Sequence, residues 1–383
     1  MQIVLDAHIP FASDIFSKMG EVHAVAGHDI GPETVKNADM LVVRSITRVD
    51  KELLNGSRIR FVGSATAGTD HIDTEYLSGS GVQFANAPGA NADSVVEYVL
   101  ASLALLSSKS GEHLLEKSIG IVGCGNVGGR LADLCTALGM AVFLNDPPRE
   151  EEEGSALFTP LPELLERCDI LSIHTPLINI GRHSTLDLIS HEQIGLLREG
   201  TWLVHTARGG VCNEGSLLRA RREGRLSGLV IDVWENEPFP NSQLMEAADV
   251  ATGHIAGYSI DAKRRGVMMI REAASRFFES SGTSAESAGD PIERTITESG
   301  RATSETGHLD SVIRQMVAIR GDDQRFRAAM ARTEDRALAF HIYRADYPER
   351  YSFSAYRAPA TSTDARISSG AQILIALGLQ SPG

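Results

Sequence analysis

The chain has 383 residues, a formal charge of -14 and 22% charged residues, enough length for two or three domains around a sizeable core. Its 50 acidic against 36 basic side chains exclude a broad nucleic-acid surface, which needs clustered Lys and Arg. The richest apolar run, VVEYVLASLALL, is too short to cross a bilayer. The start MQIVLDAHIPFASDIF has no basic segment and is interrupted by Asp6, so no secretory signal is visible and a cytoplasmic location is expected. Cys124, Cys135, Cys168 and Cys212 are scattered, without C-x-x-C or histidines at zinc spacing. Reduced core thiols and no metal site are the expectation.

From residue 1 to about 275, short β-rich runs alternate with helical patterns. QIVLDA, EVHAVAG, MLVVRS, IRFVGSA and VQFANAP read as strands, with FASDIFSKM, VDKELLNG and TEYLSGS as helices between them, the pattern of βαβ units on a parallel sheet. A long helix follows in NADSVVEYVLASLALLSSK, with Asn91 or Asp93 as its cap. A second series then runs through SIGIVG, MAVFLND, ILSIHTP, TWLVHTA, GLVIDVW and DVATGHI. The helix AKRRGVMMIREAASRFFES comes after it and is expected to pack back on the first unit. Residues 281–308, rich in Ser, Gly, Thr and Glu, read as a linker that buries little. Beyond it LDSVIRQMVAI, DQRFRAAMA and AQILIALGL look helical, while RALAFHIYRADYPERYSFSAYRA shows β-like alternation.

The chemistry concentrates in the second series. SIGIVGCGNVGGRLADLC sets Gly123, Gly125 and Gly128 as G-x-G-x-x-G between strand and helix. The first glycine allows the turn, the second admits a pyrophosphate and the third lets helix and strand approach, with Asn126 and Val127 opening the helix. Asp146 ends the next strand at the spacing suited to a ribose 2′-hydroxyl, which favours NAD over NADP. The plainer reading of Asp146 is a turn residue before Pro147 and Pro148, and Arg149 beside it leaves NADP open. Arg208 in HTARGG follows a strand end, where a guanidinium can clamp a carboxylate in two-point fashion. Asp232 and Glu237 in DVWENEP, and His254 in TGHIAG, end the next two strands. This set suits hydride transfer at a 2-hydroxy acid: an imidazole exchanges the hydroxyl proton, and a carboxylate on its other nitrogen fixes the tautomer. In the first series, RSITR offers Arg44, Ser45, Thr47 and Arg48 as phosphate donors, or, equally, two surface arginines. His71, His174 and His205 have no pattern that makes them catalytic.

At these motifs the chain resembles the D-isomer-specific 2-hydroxyacid dehydrogenases. The likeness implies an α/β fold of two doubly wound parallel-sheet domains, a Rossmann NAD domain at 96–257 and a flavodoxin-like substrate domain, or lid, at 1–95 and 258–280. The extra C-terminal region at 309–383 resembles the small α+β dimerisation domain of one branch of this family, which implies a homodimer. Arg208, Glu237 and His254 match catalytic positions. Ser45, Thr66 and Tyr258 match substrate positions, and Asp146, Thr175, Thr206, Ala207, Arg208, Asp232 and Gly257 match NAD contacts. VVRSITRVDKELLNGSRIRFVGSATAGTDHID and YPERYSFSAYRAP resemble the branch that oxidises 4-phospho-D-erythronate to 2-oxo-3-hydroxy-4-phosphobutanoate, toward pyridoxal 5′-phosphate. One departure stands out, since the common form of the last motif has proline where Gly253 lies. D-3-phosphoglycerate dehydrogenases and glyoxylate/hydroxypyruvate reductases share the same catalytic set. An NAD-sensing corepressor is the alternative that is not an enzyme.

Overall fold

The computed structural model describes residues 1–278, 294–295, 313 and 316–357. The linker expected at 281–308, apart from its residues 294–295, and the helix expected in AQILIALGL lie outside the described residues. By internal contacts the chain divides into Met1–Ala92 with Tyr258–Pro291, and Asp93–Gly257 with Ile292–Gly383.

In the first unit, β1 (Gln2–Asp6), β2 (Glu21–Val25), β3 (Met40–Val43), β4 (Phe61–Ser64) and β5 (Gln83–Ala85) form one sheet. Its order is β2-β1-β3-β4-β5 and every pairing is parallel. The central runs QIVLD and MLVV are apolar on both faces because helices cover both sides. One face packs Val4, Leu41, Val43 and Val62 against Val35, Leu53 and Leu77. The other packs Ile3, Leu5, Met40 and Phe61 against Val267, Ile270 and Ala274, which lie on the Ile260–Phe278 helix. That helix therefore returns to the first sheet. Each such aliphatic side chain, fully buried, contributes roughly 1.5–3 kcal/mol. In this strand order the chain reverses direction between β1 and β3, so the crevice beyond their carboxyl ends is the natural place for a ligand.

The second unit holds a six-stranded parallel sheet, ordered β11-β10-β9-β8-β6-β7. Its strands are β6 (Ile119–Val122), β7 (Val142–Asn145), β8 (Ile170–Ile173), β9 (Thr201–His205), β10 (Leu226–Ile231) and β11 (Val250–Ala251). The reversal falls between β6 and β8, again an opening at the carboxyl ends. The Ala92–Ser110 helix buries Tyr98, Val99, Leu103 and Leu106. A Cβ at Gly228 would lie 2.8 Å from Leu106 Cδ1 and from Trp202 Cδ1, so this glycine sets how closely the helix meets β10.

The C-terminal run RALAFHIYRA corrects the sequence expectation. It is a helix, Arg336–Ala345, whose Asp335 side chain accepts the Leu338 N–H. Its buried residues, Ala339, Phe340 and Tyr343, recur at helical spacing, and the alternation read as β was the local overlap of the two periods. A second helix, Ile319–Ala331, precedes it.

Candidate active site

The glycine turn has the shape of a cofactor cradle. Gly123 follows β6 with φ +87°, a conformation that favours glycine, and a Cβ there would meet the His174–Thr175 backbone at 2.8 Å. At Gly128 a Cβ would fall 1.9 Å from the Gly123 carbonyl, while Gly125 faces open space. The Asn126–Ala137 helix begins there without a side-chain cap, which leaves its first backbone N–H groups for an anion. Asp146 accepts from Cys124 N–H at 2.7 Å and Arg149 N–H at 3.2 Å. It caps the Pro147–Glu153 helix, a role beyond the plain turn reading. The carboxylate still has acceptor capacity for a ribose diol, since it offers about four lone-pair sites. Arg149 is committed elsewhere, by a two-point pair with Glu153 at 2.7 and 2.9 Å and a bond to the Cys124 carbonyl at 2.5 Å. It is not posed for a 2′-phosphate. Thr175 Oγ1 is buried without a hydrogen-bond partner among the described residues, an orphan that a bound polar group would satisfy. These residues fit NAD.

Beyond β9 to β11 the catalytic candidates gather. Arg208 is half-buried and its Nη1 donates to the Ala207 carbonyl at 2.8 Å. Next to it, a Cβ on Gly209 would lie 1.8 Å from the Trp234 carbonyl, so the Arg208 loop touches the loop that carries Glu237. Glu237 Oε2 stands 2.9 Å from His254 Nδ1, and Glu237 Oε1 accepts the Trp234 N–H at 3.1 Å. Burial pushes Glu237 up, but the His254 charge and hydrogen bond, the Trp234 N–H and the Arg344 charge outweigh it and hold the carboxylate below its ordinary range. His254 itself has φ 59°, left-handed backbone that costs about 1–3 kcal/mol outside glycine and persists only where its surroundings impose it.

Asp232 imposes it. The carboxylate, 1% exposed, accepts from Thr252 Oγ1 at 2.6 Å, Ile255 N–H at 2.9 Å and Ala256 N–H at 2.9 Å. Its carbonyl takes the His254 N–H at 2.7 Å. Tyr98 extends the network to Thr252 at 2.6 Å. The sequence pattern marks Asp232 only as a cofactor contact, and its part as anchor of the histidine loop is visible only in three dimensions. Two further histidines, His174 and His205, are held neutral by burial. His174 bonds Ser172 at 2.8 Å and Thr206 at 3.5 Å, and burial pushes it down to about 3. His205 is pushed down to about 4, also chiefly by burial. Ala207 and Thr206 are buried and Gly257 half-buried. Cys124 is buried, its thiol raised to about 12 by burial and the Asp146 charge, so it is an inert wall.

In the first unit Asp6 ends β1 and Arg44 follows β3, so both stand at its crevice. Arg44 Nε donates to Asp6 Oδ2 at 2.6 Å and Nη2 to Oδ1 at 3.3 Å. That buried carboxylate orients the guanidinium and uses two of its five N–H groups. Ser45 is exposed. Thr66 belongs to a chain in which Ser64 Oγ lies 2.8 Å from Thr66 Oγ1 and 2.9 Å from His71 Nε2. The Tyr258 ring carries Lys263 over its face at 5.1 Å. Two donors proposed from RSITR are occupied otherwise: Thr47 is buried on the Gly27 carbonyl, and Arg48 is an exposed partner of Asp50. Asp6 gives no signal in the sequence beyond a charge in an apolar run.

Residues 104–256 match the family model described as the D-isomer specific 2-hydroxyacid dehydrogenase, NAD binding domain. An erythronate-4-phosphate dehydrogenase from Chromohalobacter salexigens is 44% identical over 93% of both chains. The chain belongs to the erythronate-4-phosphate dehydrogenase family. Another member, from Salinibacter ruber, is 41% identical over 95% of both chains. Among solved structures, NAD+-bound 3-phosphoglycerate dehydrogenase from Entamoeba histolytica is similar with TM-score 0.61 and 27% identity, over 73% of this chain and 95% of that one. D-lactate dehydrogenase from Aquifex aeolicus, complexed with NAD and lactic acid, shares the fold at TM-score 0.58 and 24% identity, over 72% and 95%. As an erythronate-4-phosphate dehydrogenase family member the chain is an NAD-dependent dehydrogenase. Among the described residues no cluster of metal-binding side chains occurs, and no helix is long and apolar enough to cross a membrane.

Proposed function

We propose that this chain oxidises 4-phospho-D-erythronate to 2-oxo-3-hydroxy-4-phosphobutanoate with NAD, a step toward pyridoxal 5′-phosphate. The observation that carries the chemistry is the 2.9 Å pair of His254 Nδ1 and Glu237 Oε2, beside the loop of Arg208. Glu237, held as a carboxylate, accepts from Nδ1–H and leaves Nε2 to take the proton of the substrate 2-hydroxyl. Such a base contributes about 10²- to 10⁴-fold. Arg208 binds the substrate carboxylate and polarises the oxygen at C2. NAD, when bound, supplies the hydride acceptor, held by Gly123, Gly125, Asn126, Val127, Gly128, Asp146, Thr175, Thr206, Ala207, Asp232 and Gly257. Ser45, Thr66, Tyr258 and the Asp6-oriented Arg44 are assigned to the phosphorylated substrate. The choice of substrate rests on the relative 44% identical over 93% of the chain.

We also assign a cytoplasmic location, in keeping with four free, buried cysteines, and a homodimer formed through the C-terminal segment. Leu338 and Ile342, one turn apart on the Arg336–Ala345 helix, are 55% and 49% exposed, an apolar stripe suited to a second copy. The test of function is NADH formation across a panel of 2-hydroxy acids with and without a terminal phosphate. Turnover concentrated on 4-phospho-D-erythronate is expected. Efficient use of 3-phosphoglycerate or hydroxypyruvate instead would move the chain to a neighbouring activity. NADH binding without any turnover would favour a sensor.

A further inference from the structure

The Ile319–Ala331 helix lies along β11, the edge strand of the six-stranded sheet. Asp323 Oδ1 accepts the Ala251 N–H at 2.8 Å. Arg327 donates to the same Asp323 oxygen at 2.8 Å and to the Ala248 carbonyl at 2.9 Å. This fixes where the next face of the helix points, and that face carries Phe326, which is fully buried. Its ring stacks on Trp234 with centroids 6.0 Å apart and an interplanar angle of 27°. The same ring covers Gly253, where a Cβ would come within 2.7 Å of Phe326 Cε2 and 3.0 Å of Tyr343 Cδ1. Tyr343, on the following helix, backs Phe326 at 5.0 Å between centroids.

Phe326 therefore bears on two loops at once. Trp234 gives its backbone N–H to Glu237 and its indole N–H to the Thr252 carbonyl at 2.9 Å. Gly253 immediately precedes His254. We propose that Phe326 is a positioning residue that sets the Glu237–His254 pair, wedged between the loops that carry its two members. The absence of a side chain at Gly253 is the matching half of this device: a larger residue would push the ring off Trp234 or the histidine off Glu237. Arg350 holds the far end of the histidine loop, donating to the Ala256 and Ser94 carbonyls at 2.8 and 2.7 Å. The inference rests on the acid–base reading of His254 and extends it to a segment that carries no reacting group.

The experiment compares Phe326→Leu and Gly253→Ala, one removing the ring and the other pressing on it, each alone and combined with Glu237→Gln. Measured are kcat, KM, NAD affinity, and hydrogen exchange of the amides at 252–256 in the NAD-bound protein. The expected result is a kcat lower by about ten- to a hundred-fold, as for a displacement of about 1 Å at a reacting pair, with NAD affinity retained. In the Glu237→Gln background the same substitution should change kcat little, because the coupling it disturbs is already gone. Exchange at 252–256 should accelerate while β6 and β8 stay protected. An equal loss of kcat in both backgrounds overturns the proposal, as does unchanged exchange at 252–256 in a folded variant. If the wild-type chain turns over no 2-hydroxy acid, the functional reading fails by itself and exchange still decides the wedge.

Discussion

At the scale of single residues, the environments of His254 and His174 separate the histidine assigned to proton transfer from one kept neutral by burial. His254 has a carboxylate on Nδ1 at 2.9 Å and strained backbone, whereas His174 sits between Ser172 and Thr206. His254→Gln should lower kcat by about 10²- to 10⁴-fold while NAD affinity is kept. Near-normal turnover in a steady-state assay would remove the acid–base role. His174 gives a stability prediction with a definite sign. Its ordinary value is 6.5 and burial lowers it to about 3 in the fold, so below 6.5 the unfolded chain binds a proton that the folded chain refuses. The contribution is complete above about 6.5 and declines as pH falls toward 3, by up to about 1.4 kcal/mol per pH unit. Urea midpoints taken at about pH 7 and about pH 5 should therefore separate, and the separation should shrink in His174→Asn.

At the scale of elements, strands and crossovers were legible because a buried parallel strand is apolar on both faces and a crossover helix is apolar on one. QIVLD, MLVV, IGIV and ILSI need no tertiary information to be read. The run RALAFHIYRA is ambiguous in sequence because in a short stretch Ala-Leu-Ala-Phe fits period 2 as well as a helical stripe, and only packing of Phe340 and Tyr343 against the preceding helix decides. The loops after the strands carry a different kind of information. HTARGG shows an arginine and two glycines, but not that Gly209 is small because the Trp234 carbonyl occupies the place of its Cβ. Gly209→Ala must separate the Arg208 and Glu237 loops, so it should reduce kcat and destabilise by about 1–3 kcal/mol. Thermal melting beside the turnover assay checks it, and an unchanged melting temperature would mean that the two loops part without cost.

At the scale of the whole molecule, the C-terminal segment is the part that the sequence described least. Its Ile319–Ala331 helix supplies Asp323, Phe326 and Arg327 to the edge of the NAD-binding sheet, so this helix belongs energetically with Asp93–Gly257. The apolar stripe of Leu338 and Ile342 is the surface on which a second copy is expected. Paired substitution by Glu at both positions should convert a sedimenting dimer to monomer at micromolar concentration, because two buried like charges facing their copies are strongly unfavourable. A wild-type chain that already sediments as a monomer would refute the dimer.

The sequence by itself determined the α/β class and marked the glycine cradle with Asp146 and the set Arg208, Glu237 and His254 as candidates, because each depends on local spacing at strand ends. Only the tertiary structure decided that Asp232 anchors the histidine loop, that Asp6 aims Arg44, and what occupies the place of a side chain at Gly253. The glycine at 253, where the resembling family carries proline, makes room for an aromatic ring 73 residues further along the chain. No local pattern encodes such a contact, since its cause is the volume of a side chain that arrives from another element.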